Sequence, residues 1–345
     1  MGRVSGWGRE PGPVGGARGL GWWVGNIAPA GRLAAGVKAI GVTEFGGPDA
    51  LHVVELPDPE AGPGEVRIRV HAATVNPTDT GLRSGARAVD VPPPYVPGMD
   101  VAGVLEQIGP GTSTDLQVGE HVMAIVVPHG QTGGYAERVV VPAESAVRVP
   151  AGATYAEAST LPMNGLTTVQ ALDRLGLEPG QTLAVTGAAG AVGGYAVQLG
   201  KAGGLRVVAD AAPADEQLVK DLGADVVVRR GPEFAARVRE VAPEGADGLI
   251  DAALLNELAV PAVRDGGRIA TVRGFKGDAE RGVTFHPVTV RRYAREQGKL
   301  DRLRQLAETG QVTLRVARIL PAEHAAEAHR LLEAGGIRGR LVLEF

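Results

Sequence analysis

One stretch constrains this chain more than any other: Leu183-Ala184-Val185-Thr186-Gly187-Ala188-Ala189-Gly190-Ala191-Val192-Gly193-Gly194. An apolar strand over 182–186 should run into a tight turn and then a helix over 191–202, with Val192, Ala196 and Leu199 on its inner face. Gly187, Gly190 and Gly193 fall at the spacing G-x-x-G-x-x-G. The middle glycine lets the backbone approach a pyrophosphate, and the last allows close packing of helix on strand. The unpaired N–H groups and dipole at the helix N-terminus favour an anion there. In a chain with 51 glycines such a triplet says little by itself. The strand before it, the helix after it and a second strand on schedule carry the reading of dinucleotide binding. Gly187, Ala188, Ala189, Gly190, Ala191, Val192 and Gly193 are therefore the expected cofactor-binding residues.

Strands and helices continue to alternate beyond this loop. Strands are expected over 205–209, 226–228, 248–252 and 268–271, and helices over 215–222, 234–241 and 256–263. That order builds a doubly wound parallel sheet. Upstream, 37–150 reads as short strands punctuated by Gly and Pro, at 51–56, 65–71, 101–108, 118–124 and 135–141, which suggests a β-rich barrel-like unit. Two short helices are expected over 156–175, two helical stretches over 290–309 and 322–334, and a closing strand over 340–345. The expected fold class is α/β: a barrel domain over 37–160, a cofactor-binding domain over 161–285, and a return to the first domain over 286–345. A chain of 345 residues, 44% of them hydrophobic, fits two cores better than one.

Residues 1–36 are rich in Gly, Pro and Arg and show neither strand nor helix periodicity. They read as a disordered extension, or as a spurious one with the natural protein beginning at Val37. Asn26, Pro29 and Arg32 interrupt any signal-peptide core. No run of about 20 apolar residues spans a bilayer, so no membrane partner and a cytoplasmic location are expected. The net charge of −4 gives no reason to expect nucleic acid. The chain has no cysteine, which excludes disulfides, Fe–S clusters and thiolate zinc sites. Its seven histidines show no metal-binding spacing. No G-x-S-x-G or G-K-[ST] occurs, so neither a serine hydrolase nor a P-loop enzyme is supported.

Several segments together resemble the medium-chain dehydrogenase/reductases, and within them the zinc-free quinone oxidoreductase (zeta-crystallin-like) branch. They are Phe45-Gly46-Gly47-Pro48, Val75-Asn76-Pro77-Thr78-Asp79 with Arg83-Ser84-Gly85, Pro97-Gly98-Met99-Asp100-Val101-Ala102-Gly103, Gly133-Gly134-Tyr135-Ala136-Glu137, Leu161-Pro162-Met163-Asn164-Gly165-Leu166-Thr167-Thr168, the glycine loop, and Gly339-Arg340-Leu341-Val342-Leu343. The resemblance runs from Val37 to Phe345. It implies a GroES-like β-barrel catalytic domain interrupted by a Rossmann domain, with the active site between them. Where zinc-dependent relatives place Cys and His ligands, this chain has Asn76-Pro77-Thr78-Asp79 and Gly98-Met99-Asp100, so no metal is expected.

What the resemblance implies is hydride transfer from NAD(P)H to a quinone or an α,β-unsaturated carbonyl. Asn76 and Thr167 would lie near the nicotinamide, with Arg273 and Gly274 lining the cleft. Arg83, Tyr95 and Asn164 would orient the substrate. Asn76 could instead form an Asx turn, and the Thr167 hydroxyl could bond its own helix. Asp210 ends the second strand of the cofactor domain, where a carboxylate binds an adenosine ribose and leans the residues toward NAD(H). The branch favours NADP(H), and distant cations such as Arg230 could tip the balance, so NADP(H) stays ahead of NAD(H). Many quinone oxidoreductases carry Tyr where this chain has Gly81, a departure at the acceptor site. A homodimer is expected. The alternatives are an enoyl-thioester reductase, or a non-catalytic NAD(P)H-binding sensor or structural protein.

Overall fold

A computed structural model describes residues 36–345 except 88, 89 and 279. The extension expected over 1–36 therefore lies outside the described residues, save Gly36.

Two architectures alternate along the chain. The first opens with β1 (Val37–Gly41) antiparallel to β2 (His52–Leu56). The long β3 (Glu65–Thr74) then buries Val66, Ile68 and Val70 on one face and leaves Arg69 exposed, as its alternation predicts. It pairs antiparallel with β4 (Asp100–Ile108), which pairs with β5 (His121–Ile125). β6 (Arg138–Pro142) adds to β3 and β7 (Ala146–Arg148) to β5. Between β3 and β4 lies α1 (Pro77–Arg83), a helix the periodicity did not foresee. Its signal is local: Asn76 precedes Pro77 at the first helical position, and the Asp79 carboxylate accepts the Asn76 N–H at 2.8 Å.

After α2 (Tyr155–Ser159) and α3 (Pro162–Leu175) comes the parallel unit: β8 (Thr182–Thr186), α4 (Ala191–Ala202), β9 (Arg206–Ala211), α5 (Glu216–Asp221), β10 (Val226–Arg229), α6 (Phe234–Val241), β11 (Ala246–Asp251), β12 (Val263–Thr271) and β13 (Thr284–Pro287). The strands order as β10-β9-β8-β11-β12-β13, all parallel. The order reverses between β8 and β11, and a doubly wound sheet opens its binding crevice at the carboxyl ends of those two strands. Leu183, Leu249 and Ile250 are fully buried there, each burial contributing about 1.5–3 kcal/mol.

The remainder is α7 (Gln297–Glu308), β14 (Val316–Pro321), α8 (Ala325–Ala334) and β15 (Arg340–Glu344). β15 inserts between β14 and β3, so the last strand completes the sheet that β3 began. Two helical expectations were too simple. The stretch 290–309 splits into a 3-10 turn, Val290–Tyr293, and α7, because the Ser145 hydroxyl donates to the Ala294 carbonyl at 2.6 Å and takes an acceptor that a continuous helix would use. The stretch 256–263 is a 3-10 helix, Asn256–Ala262, with Pro261 inside it and one backbone donor missing.

Candidate active site

The glycine loop turns at the mouth of the crevice. Gly187 has φ +67°, a left-handed conformation that favours glycine. A β-carbon on Gly193 would fall on the Gly187 carbonyl, so helix α4 can approach β8 this closely only without a side chain. Arg315 donates to the carbonyls of Ala189 (3.1 Å) and Gly190 (2.6 Å). That bracing leaves the N–H groups at the start of α4 facing the cleft. Across the crevice, the Thr186 hydroxyl donates to Asp251 at 2.7 Å, and Asp251 accepts the N–H groups of Leu255 and Asn256. Leu254 is held there at φ +62°, a conformation that costs a non-glycine residue about 1–3 kcal/mol.

Gly187, Gly190, Ala191, Val192 and Gly193 line one half of the cleft, about 270 Å³. It continues through Pro77, Asn164, Val192, Val272 and Arg273, which are shared, into a second half of about 440 Å³. Thr78 and Gly81 of α1, Met99, Met163, Thr167 and Gly274 line that second half. A larger cavity, about 830 Å³, opens elsewhere on the cofactor domain between Arg239, Arg264 and Arg281. Those guanidinium groups are committed to backbone carbonyls and to Asp247 and Asp265, and no glycine cradle borders it. The glycine cradle borders the cleft alone of the two.

The residues expected at the site divide. Asn164, Thr167, Arg273, Gly274 and the cradle meet in the cleft. The Thr167 proton is spent on the Met163 carbonyl at 2.7 Å, within its own helix. Ala188 and Ala189 turn their side chains into the sheet core, and the Ala188 N–H donates to Asp210 rather than outward. Asp210 is itself buried and paired with Arg230 at 2.9 Å, so it presents no free carboxylate to a ribose.

Three expectations need correcting. Asn76 is fully buried beneath Pro77 and does not line the cleft: its amide donates to Asp100 (2.8 Å) and the Thr74 carbonyl, and its oxygen accepts from Arg340 (2.6 Å). Arg83 points away from the cleft, to Glu333 (2.6 Å), the Gly46 carbonyl and His329. Tyr95 stacks on Phe45 at 4.8 Å between ring centres, within the barrel core. Each satisfies its polar or aromatic group far along the chain.

Two buried networks hold α1 under the cleft. In the first, Asp100 accepts from Asn76, Arg340 (3.3 Å) and the Met163 N–H (2.6 Å). Burial raises its pKa, an effect that Arg340 opposes. In the second, Arg83 donates to His329 Nδ1, which puts the ring proton on Nε2, facing the Tyr135 hydroxyl at 3.2 Å. Tyr135 donates to Asp79 at 3.1 Å. Burial pushes the Asp79 pKa to about 7 and that of His329 down to about 3, Arg83 adding to the latter. Sequence reading missed Thr78, which lines the cleft while its hydroxyl is buried with no hydrogen-bond partner among the described residues. It also missed Arg315, Arg87 and Arg291, for which no local pattern gives a signal.

Among the described residues no three His, Cys, Asp or Glu side chains gather as metal ligands, and the chain has no cysteine. The residues present do not fit a zinc centre. No helix among them is long and apolar enough to cross a membrane.

Comparison with known proteins accords with this geometry. The family model of the alcohol dehydrogenase GroES-like domain matches residues 62–151, and that of the zinc-binding dehydrogenase matches 222–343. The chain is 31% identical over 258 residues to the chloroplastic NADPH-dependent alkenal/one oxidoreductase of Arabidopsis thaliana, covering 72% of this chain and 66% of that protein. It thus spans just under two thirds of that relative. It is 29% identical to the quinone oxidoreductase of Sus scrofa over 90% of this chain and 99% of that one. The crystal structure of an NAD-dependent alcohol dehydrogenase superposes with a TM-score of 0.80 at 32% identity, over 89% of this chain and 99% of that one. Fold, strand order and these likenesses agree: the chain belongs to the medium-chain dehydrogenase/reductase superfamily.

Proposed function

We propose that this protein is a metal-independent NAD(P)H-dependent reductase of quinones or α,β-unsaturated carbonyls. The observation that carries the reading is the continuity of the cleft: a glycine cradle fit for a pyrophosphate opens into a mostly apolar cavity with a few polar groups. When bound, the reduced nicotinamide supplies a hydride. Gly187, Gly190 and Gly193 make room for the pyrophosphate, and Arg315 aims the loop. The Asn164 amide, with no side-chain partner among the described residues, offers a donor to an oxygen that gains charge. A conjugated acceptor spreads that charge, so hydrogen bonds suffice where an alcohol would need a Lewis acid. The cavity walls, Met99, Met163, Val288 and Val290, exclude water from an apolar acceptor.

The cofactor reading is NADP(H) ahead of NAD(H). Two things support it: the NADPH dependence in a relative's name, and the pairing of Asp210 with Arg230. A neutralised Asp210 no longer repels a 2′-phosphate. The same reading assigns the barrel domain to 37–160 and 286–345, the cofactor domain to 161–285, and a cytoplasmic homodimer, which light scattering on the purified protein tests.

Titration with NADPH and with NADH, followed by nicotinamide fluorescence, and then addition of a simple quinone and a simple enone, tests the whole. The expected result is tighter binding of NADPH and its oxidation on adding acceptor. Cofactor binding without its oxidation by either acceptor would favour a non-catalytic binding protein. Binding of neither cofactor would remove the proposal.

A further inference from the structure

Three arginines border the 440 Å³ half of the cleft from separate segments: Arg87 after α1, Arg273 after β12, and Arg291 in the turn Val290–Tyr293. Arg83, Arg230 and Arg338 pair with Glu333, Asp210 and Asp215, whereas none of these three forms an ion pair among the described residues. They are close enough to act on one another. Burial and then Arg291 hold the Arg87 pKa down; Asp79 opposes them, and Arg273 adds a smaller push down. Like charges gathered around a cavity, with only the buried Asp79 carboxylate acting against them, favour an anion from outside.

Gly81 contributes room. A β-carbon there would already touch the Arg87 side chain at 3.6–3.8 Å, so a larger residue would take the space that Arg87 occupies beside the cleft. The cofactor does not account for this charge. Its pyrophosphate belongs at the glycine cradle, in the half that Arg87 and Arg291 do not line. A 2′-phosphate belongs beside Arg230, at the end of β9 and β10.

We propose that the natural acceptor carries an anionic group, a carboxylate or a phosphate, held by Arg87 and Arg291 with Arg273 at the boundary, while its conjugated carbonyl lies toward Asn164. This rests on the reductase reading above. The reaction balances without a further reagent: one hydride from the reduced nicotinamide joins the β-carbon, one proton from solvent joins the α-carbon, the C=C becomes a single bond and the cofactor is oxidised. Guanidinium groups suit this ligand because they form paired, charge-assisted hydrogen bonds with planar oxyanions.

The test compares trans-4-oxopent-2-enoate with its methyl ester, and both with the but-2-enoyl thioester of coenzyme A, as NADPH-dependent acceptors. The expected kcat/KM for the free acid or the thioester exceeds that of the ester at least about tenfold, a margin that shrinks as salt rises. A preference for the acid assigns a carboxylate, and a preference for the thioester a phosphate. Arg87→Gln and Arg291→Gln should each lower the anion-to-ester ratio about five- to tenfold, circular dichroism confirming the fold. Equal or better turnover of the ester overturns the inference and leaves the reductase standing. Failure of every acceptor removes the reductase reading. The anion site is then read by calorimetry on the NADPH-loaded protein with 4-oxopentanoate and inorganic phosphate: binding that the Arg87 and Arg291 variants lose supports it, and no binding of either overturns it.

Discussion

Replacing Arg340 with methionine is the sharpest test of how the cleft floor is held. Arg340 is 5% exposed, and its guanidinium serves four acceptors: the carbonyls of Thr160 (3.0 Å) and Val75 (3.3 Å), Asn76 Oδ1 (2.6 Å) and Asp100 Oδ2 (3.3 Å). Asp100 is fully buried and has no other cation paired with it among the described residues. Methionine keeps much of the aliphatic bulk but strands the carboxylate. Breaking a buried pair from one side costs about 3–5 kcal/mol. Asp100→Asn in the native background also destabilises, because the amide turns a donor toward Asn76 or Arg340. In the Arg340→Met background the same change removes a naked buried charge, so its effect should reverse and restore roughly 1–3 kcal/mol. Urea unfolding of the four proteins at pH 8, followed by far-ultraviolet circular dichroism, gives the cycle. If Asp100→Asn costs the same in both backgrounds, the pair is not coupled and the reasoning is refuted.

Gly193→Ala should abolish measurable cofactor binding and destabilise the fold by about 1–3 kcal/mol, since its β-carbon meets the Gly187 backbone; normal NADPH binding by fluorescence titration would contradict this. Arg230→Ala should weaken NADPH at least about tenfold and NADH far less; equal losses would remove the 2′-phosphate argument. Asp79 and His329 predict opposed pH dependences. With a folded pKa of about 7 against 3.8, Asp79 keeps a proton that the unfolded chain has released, so its contribution to stability falls as pH rises from about 4 to 7. With about 3 against 6.5, His329 contributes in the other direction, stability rising between about pH 3 and 6.5. Asp79→Asn removes the first alone, so between pH 5 and 7.5 the variant should gain roughly 3 kcal/mol relative to wild type; parallel stability profiles would refute it. Dialysis against a chelator should leave turnover unchanged, and a loss restored by zinc would overturn the metal-free reading.

What the sequence made legible was local. The glycine loop, the β8–α4 turn and the strand–helix alternation that follows depend on neighbours a few residues apart, and Gly187 and Gly193 occupy the positions their spacing implies. Asn164, Thr167, Arg273 and Gly274 also reach the cleft. Arg83 and Asn76 lie away from the cleft for the opposite reason. Their partners Glu333 and Arg340 lie 250 and 264 residues away, and no periodicity shows which way a polar side chain turns when such a partner exists. Asp210 is the subtler case. Its place at the end of β9 was legible, but Arg230, which pairs with it, follows a different strand, so only the assembled sheet shows that its charge is met. α1 was visible in principle, through Asn76, Pro77 and Asp79, although too short to show a stripe.

The pairing of β15 with β3 sets a schedule for the ribosome. Ala72, Ala73 and Thr74 take their partners from Glu344, Leu343 and Val342, roughly 270 residues later. At about 5–20 residues per second the wait is on the order of ten to fifty seconds. Through that time β6 covers residues 65–69 of β3, while 72–74 keep a bare apolar edge, the kind of surface that recruits other strands. The parallel unit between the two partners has all its strands in one unbroken run and can fold while the barrel waits. Synthesis rate and chaperone supply should therefore govern the yield of this protein more than the stability of the finished molecule does.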